Sequence, residues 1–561
     1  MVESSQLGMK KYIFVFIVMV AIVLRFWSLG SVPPSPDWDE AALGYNAYSI
    51  LKTGRDEYGT FLPRTLRSFD DYKPPLYVYL SIPPVAIFGL STWSVRLPSA
   101  VMGVLAVIGT YFLVIELLRG QKEKGKQKAR GIQPETLAAL TSFLLAISPW
   151  HLQFSRIAFE ANTGVTLNVW GLVAFLRGLR SLPWMMASAF FFGLSLYAYH
   201  SERVFVPMLL IIVSILWRKE LFADAKKLAI GIIIGILTAA PLLPVVLDST
   251  SVTRLKGTSS LSDQTGLLMR STAKLEDDRK SGNVTGALFD NRRIVYAKTL
   301  IDGYISHFSL RWLFLVGDND RHHAPDNGLL YLWELPFFLW GIYAVWRNGG
   351  RLASLLLSWI LITPIAASPT SETPHAIRTL VALPALQICT ALGIVAFMGK
   401  LQETRKRLSG VLRWLPVVVL CVVGGFVIIN TVFYLHMYHT HLNHEYPKFW
   451  QYGYEQAVRY AEAHKEKYDK IIVSTSLEQP HMFFLFYTKY DPKKYLEAGG
   501  TASGGFAENR NRFDKYEFRP ISNWGDERHD GTILYIGSPM EVPGGTVISY
   551  PNGTDAIHIS E

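Results

Sequence analysis

Apolar stretches of 15 to 25 residues recur from residue 11 to residue 435 and then stop, with most of the intervening charge held in short polar segments. Blocks of that length match the roughly 20 residues that a helix needs to cross a bilayer. The pattern therefore predicts a mainly α, polytopic membrane helical bundle followed by a polar tail. At the start, Lys10 and Lys11 precede the run YIFVFIVMVAIVL. Arg25-Phe26-Trp27 follow it rather than a small-residue cleavage site, so an uncleaved first helix with a cytoplasmic N-terminus is expected.

The next two apolar blocks set the alternation. Residues 76–90 are apolar but short and carry Pro83-Pro84, whereas residues 93–118 are long, uninterrupted and followed by the basic run RGQKEKGKQKAR at 119–130. If both blocks crossed, that run would face outward, against the excess of Lys and Arg in cytoplasmic loops. The 76–90 block is therefore expected to lie along the surface or dip in and return. Further spans are expected near 135–149, 160–178, 183–199, 203–217, 228–247, 328–346, 352–367, 377–398 and 411–435, about eleven in all. They place the remaining basic runs inside and the tail outside.

From about Tyr438 the composition changes. Residues 446–468 read as an amphipathic helix, KIIVSTS as a buried strand, HMFFLFYTKY as an aromatic block, and DGTILYIGS and GGTVISY as two more strands. The division expected is a membrane domain over 1–437, with external loops at 29–93 and 248–327, and a small extracytoplasmic α/β domain over 438–561. Half of the residues are hydrophobic and only 18% are charged, which excludes an ordinary soluble domain. The net charge of +10 resides in interhelical loops, so no nucleic-acid partner is implied. Cys389 and Cys421 lie inside apolar blocks and imply neither a disulfide framework nor a metal site.

Candidate chemistry gathers on the outer face. The loop PDWDEAALGYNAYSILKTGRDEYGTFLPRTLRSFDDYKPP, residues 36–75, holds Asp37, Asp39 and Glu40, then Asp70 and Asp71, then Lys73. Asp37 and Glu40 have the spacing of a capping box, with Gly54 as the helix stop. Asp39 lines up with Leu43, Ala47 and Ile50 on the apolar face, where a carboxylate suits a general base as well as a helix end. Lys73 opens the next helix as a phosphate ligand or an interfacial anchor, and Arg96 and Arg378 at outer helix ends carry the same two readings. His151, Arg156, His200, Glu202, Arg203, His322, His323 and His375 are further polar groups at outer ends. No two of them stand at the i, i+4 spacing of a helical zinc site, so no cofactor is assigned and a divalent metal is left open. Carboxylates within the spans are almost lacking, which argues against a proton-coupled transporter.

Asp39-Glu40 soon after the first span, Lys73-Pro74-Pro75-Leu76 some thirty residues later, and then WSVRLPSA at 93–100 resemble the N-terminal region of the protein O-mannosyltransferase family. The lipid A aminoarabinose transferases share this plan, and both are C-type (GT-C) membrane glycosyltransferases. SPWHLQFSR, YHSERVF, GLLYLWELP and TPHAIR look like later landmarks, so the likeness covers roughly residues 10 to 435. Two features depart from it. Asp71-Tyr72 stand where the aminoarabinose transferases usually have Glu before Lys-Pro-Pro, and the 248–327 loop lacks the repeat domain of eukaryotic protein mannosyltransferases.

The resemblance implies transfer of a sugar, mannose or a related hexose, from a polyprenyl-phosphate donor to an external hydroxyl, with inversion. The acceptor would be a protein, lipid or glycan, and the setting the bilayer of a prokaryotic plasma membrane. It implies Asp39 as base beside Glu40, and donor phosphate on Lys73 with Arg96 or Arg378. Asp70, Asp71, His151, Arg156, His200, Glu202, Arg203 and His375 would line the substrate cavity. The rival expectation is a protein that binds or moves lipid-linked sugar without chemistry.

Overall fold

The computed structural model describes residues 2–69, 71–122, 133–247, 259–261, 264–504 and 508–561. Most of the basic run at 119–130, part of the 248–327 loop, and Asp70 lie outside the described residues. The chain divides into two compact units. One comprises Met1–Val18, Ala106–His151 and Gly164–Thr431, and the other Met19–Leu105, Leu152–Thr163 and Val432–Glu561.

The first unit is helical. Four helical stretches among the described residues are long and apolar enough to cross a membrane: Thr92–Arg119, Ala225–Val245, Leu380–Arg407 and Gly410–Glu445. The expected span near 135–149 is a bent pair, Pro134–Ile147 and Pro149–Ser155, turned by 60°. Other expected spans are shorter helices, such as Leu182–Ser195 and Glu202–Leu216. Helices Glu334–Asn348 and Ala385–Arg407 cross closely because each presents a glycine at the contact. A Cβ on Gly341 would meet the carbonyl of Cys389, and one on Gly393 the carbonyl of Phe337. Small residues let helix backbones approach in this way.

The second unit holds the candidate loop. The capping box forms as its spacing predicts: Asp37 accepts from the Glu40 amide at 2.8 Å, and Glu40 accepts from the Asp37 amide at 3.3 Å. Helix Trp38–Thr53 follows and ends on Gly54 at φ 72°, a left-handed position suited to glycine. Next comes a two-stranded hairpin, β1 (Leu66–Ser68) and β2 (Asp71–Lys73), with Leu66 opposite Lys73. Lys73 is thus the last residue of a strand and not the opening of a helix. Helix Leu76–Phe88 continues through Pro83 and Pro84 without a break. Its 13 residues rise roughly 20 Å, short of the ~30 Å hydrocarbon thickness.

The tail of the chain folds as a six-stranded sheet in the order β4-β5-β3-β6-β8-β7. The strands are β3 (Lys470–Ser474), β4 (Arg512–Phe513), β5 (Tyr516–Arg519), β6 (Ile533–Gly537), β7 (Thr546–Ser549) and β8 (Asp555–Ser560). Strands β5, β3 and β6 run parallel at the centre. The amphipathic segment becomes helix Tyr454–His464, shorter than its pattern. The aromatic block becomes helix Pro480–Thr488, in which every residue from Pro480 to Phe486 is buried.

The sheet does not close its core alone. Tyr45, Ala47 and Ile50 of helix Trp38–Thr53 share one buried cluster with Met482, Phe483, Phe484 and Phe486. Three hydrogen bonds reinforce the seam: Ser35 to the Trp450 carbonyl at 2.6 Å, Tyr45 to the Tyr490 carbonyl at 3.2 Å, and Thr501 to Glu57 at 2.6 Å. Gly44 sits at a tight point of this packing. A Cβ there would lie 2.6 Å from Val95 Cγ2 and 2.7 Å from Phe486 Cε2. Gly44→Val should therefore destabilise the protein by about 1–3 kcal/mol through overpacking. Thermal unfolding in detergent checks this, and an unchanged midpoint would show that the seam yields freely.

Candidate active site

The first turn of helix Trp38–Thr53 holds three carboxylates, and two of them are consumed by the fold. Asp37 and Glu40 are fully buried, Asp37 as the helix cap. Glu40 meets Arg96 side-on, with Nε to Oε1 at 2.8 Å and Nη2 to Oε2 at 2.7 Å. Its Oε1 also accepts from the Ala158 amide at 2.7 Å. The remaining Arg96 donors go to the carbonyls of Leu29, Pro33 and Ser35, at 3.2, 2.9 and 2.7 Å. All five guanidinium donors are spent and the side chain has no exposed surface. Arg96 therefore has no donor left over for the phosphate expected of it, and Glu40 is its counter-ion.

Arg156 is likewise structural. Its guanidinium caps the end of the first helix, donating to the carbonyls of Leu24 at 2.7 Å and Val32 at 3.1 Å, and to the Tyr438 hydroxyl at 3.2 Å. A cation at a helix C-terminus suits the dipole and the unpaired carbonyls there. It is buried, with these donors directed at the chain itself.

Asp39 is different. Its side chain keeps 26% exposure and forms an ion pair with Lys73, which keeps 12%. Burial works against the Lys73 ammonium, but Asp39, Glu160 and Asp37 outweigh it and hold its pKa above the ordinary lysine value. Lys73 is thus a firmly protonated cation at the end of β2, facing an accessible carboxylate with Glu160 nearby. Glu160, 5% exposed, is the member of this group that sequence reasoning passed over. Its signal was the carboxylate in SPWHLQFSRIAFEAN, a stretch already noted for His151 and Arg156. Asp71 sits on β2 with its carboxylate on the Tyr72 amide at 2.7 Å.

The other candidates belong to the helical unit. His151 and Glu202 are fully buried, and Asn168 donates to Glu202 at 2.6 Å. His200 is half-buried beside Tyr199, and Arg203 donates to the Leu196 carbonyl at 3.4 Å. Arg378 Nη1 donates to Thr370 Oγ1 and to the Ser371 carbonyl, each at 2.6 Å. His375 is buried beside His322, with ring centroids 5.1 Å apart. Burial, His322 and Arg378 together push its pKa well below the usual histidine range, so its imidazole is neutral.

No protein-family model and no curated protein matches the chain. Solved structures do. The apo structure of ArnT from Cupriavidus metallidurans matches with a TM-score of 0.52 at 14% identity, over 97% of this chain and 97% of that one. The archaeal oligosaccharyltransferase AglB from Archaeoglobus fulgidus, solved with an inhibitory peptide and a dolichol-phosphate, matches with a TM-score of 0.52 at 13% identity. There the coverage is 95% of this chain and 70% of that one. Against the apo oligosaccharyltransferase of the same organism, with a TM-score of 0.50 at 14% identity, 85% of this chain matches and spans 63% of that chain's length. The chain shares the fold of these structures.

Two predictions separate fold from chemistry here. Arg96→Met would leave Glu40 buried without its counter-ion, so it should cost about 3–5 kcal/mol of stability. Unfolding in detergent measures it, and a fully stable Arg96→Met would return Arg96 to the list of free cations. The second concerns Glu57, which is buried between Asn46 and Thr501. Burial pushes its carboxyl up to about 7, against those two hydrogen bonds, from an ordinary 4.5. The folded state then holds the extra proton between those values, so this contribution to stability grows as pH falls from about 7 towards 4.5. The unfolding midpoint of wild type should rise relative to Glu57→Gln over that interval, and parallel curves would show that Glu57 does not titrate there.

Proposed function

We propose that this chain is an integral membrane glycosyltransferase. It takes a sugar, mannose or a related hexose, from a polyprenyl-phosphate donor and passes it with inversion to an extracytoplasmic hydroxyl. One observation carries the reading: of the three clustered carboxylates, Asp39 alone is accessible, and it faces the protonated Lys73. ArnT from C. metallidurans has been solved with undecaprenyl phosphate, and AglB with a dolichol-phosphate, which supports a lipid phosphate as the donor's carrier. In this reading the 36–75 loop and the 438–561 tail are extracytoplasmic, in a plasma membrane.

The chemistry follows from the pair. Lys73 turns from Asp39 to the donor phosphate, a charge-assisted contact that stabilises the leaving group as its bond to the sugar carbon breaks. Asp39, released, accepts the proton of the acceptor hydroxyl as that oxygen attacks the opposite face of the sugar. Phosphate leaves without needing a general acid. The base is thus exposed only when a donor is present to take its partner.

Incubation of the purified protein with a panel of polyprenyl-phosphate sugars, with products read by mass spectrometry, tests the class. Asp39→Asn keeps size and hydrogen bonding but cannot take the proton, so turnover should fall about 10²–10⁴-fold while donor binding survives. Lys73→Ala should weaken donor binding at least about tenfold. Transfer by Asp39→Asn within a fewfold of wild type would remove Asp39 from the chemistry. Donor binding without any transferred product would make the protein a carrier of lipid-linked sugar.

A further inference from the structure

Asp318, His322 and His375 each offer one ligand atom, and these atoms lie within 4.8 Å of one another. All three side chains are buried or nearly so, inside the helical unit. Asp318 and His322 come from the turn that follows Trp312–Val316, and His375 from the segment between helices Gly350–Ile362 and Ala385–Arg407. The Nδ1 of His375 is buried with no hydrogen-bond partner among the described residues. An unmet polar atom in a buried imidazole is costly, and a bound cation would meet it.

We infer that Asp318, His322 and His375 form a binding site for a divalent transition-metal ion of the zinc type. Two imidazoles and one carboxylate suit zinc, cobalt or nickel and do not suit calcium or magnesium, which prefer all-oxygen shells. Four-coordinate zinc holds such ligand atoms about 3.3 Å apart, given bonds of about 2.0–2.1 Å. A bound ion would draw the ligand atoms, now within 4.8 Å of one another, in to that separation. The ligands are held from behind, as metal ligands commonly are. Trp312 Nε1 donates to Asp318 Oδ1 at 3.3 Å, the Ala376 amide donates to Asp318 Oδ2 at 2.9 Å, and the His375 amide donates to His307 Nε2 at 3.1 Å. The hydrogen bond of 2.6 Å between His322 Nδ1 and Asp318 Oδ2 gives way to coordination when the ion enters. The ion then clips the turn at 318–322 to the segment at 375, and the three protein ligands leave a fourth position for water. The site does not depend on what reaction the protein performs.

The test uses full-length protein in detergent, purified without a histidine tag, stripped with a chelator and titrated with zinc or cobalt alone. Wild type should retain one equivalent of zinc through gel filtration, and cobalt should give the intense visible band of a four-coordinate site. His375→Gln and Asp318→Asn should each lose at least about tenfold in zinc affinity, while His323→Gln, whose ring meets the Ala324 carbonyl, should bind as wild type. Failure of wild type to retain zinc, or equal affinity in the two ligand variants, overturns the site. Should a ligand variant fail to fold, the cobalt spectrum of wild type decides: the weak band of a six-coordinate aquo ion overturns it.

Discussion

The buried pair of Glu40 and Arg96 fixes where everything in the candidate site stands. Removing two charges from water costs several kcal/mol per ion, and mutual attraction repays that only when every donor and acceptor is met. Here they are. Arg96 spends five donors on Glu40 and on three carbonyls of the 29–35 segment, while Glu40 also takes the amides of Asp37 and Ala158. One ion pair therefore joins the end of the first helix, the start of helix Trp38–Thr53, helix Thr92–Lys122 and the 158–160 segment. Asp39 precedes Glu40 and Glu160 follows Ala158 by two residues, so both carboxylates are positioned by the same contact.

That arrangement divides labour among residues that look alike in the sequence. Asp37 caps, Glu40 anchors, and Asp39 is left to face Lys73. The same holds for the cations. Arg96 and Arg156 stand at helix ends like an anion-binding pair, yet both direct their donors at the chain's own carbonyls. Guanidinium forks suit this work because several fixed donors can satisfy several carbonyls at once. Lys73, a point charge on a flexible stem, is the cation that can change partner.

What could be read in advance was local. The capping box, the Gly54 stop and the succession of apolar helices depend on residues within a few positions of one another, and spacing reveals them. The Glu40–Arg96 pairing spans 56 positions, and nothing in either neighbourhood marks it. The aromatic run at 480–488 gave no period because its helix is buried on nearly every side. Strands β4 and β5 escaped notice because they are short, and β8 because Asp555 and His558 interrupt its apolar pattern. The Asp318–His322 spacing stands in the sequence, but neither residue is marked as a ligand by its neighbours, and the third member lies 53 residues on in another loop.

Charge balance ties the site to its proposed substrate. Asp39 and Glu160 set against Lys73 leave the cluster with more negative than positive groups, a poor place for a phosphate to rest. An anionic donor is accommodated only if Lys73 gives up its carboxylate partner, because an ammonium already neutralised by Asp39 has little attraction left to offer. In the proposed function, donor capture and exposure of the base are then one event. The spent arginines sharpen this, since neither Arg96 nor Arg156 can substitute for Lys73 while the fold holds their donors. Replacing Lys73 by arginine would keep the charge but present a rigid fork able to hold Asp39 by two bonds at once, and so would favour the resting pair over the exchange.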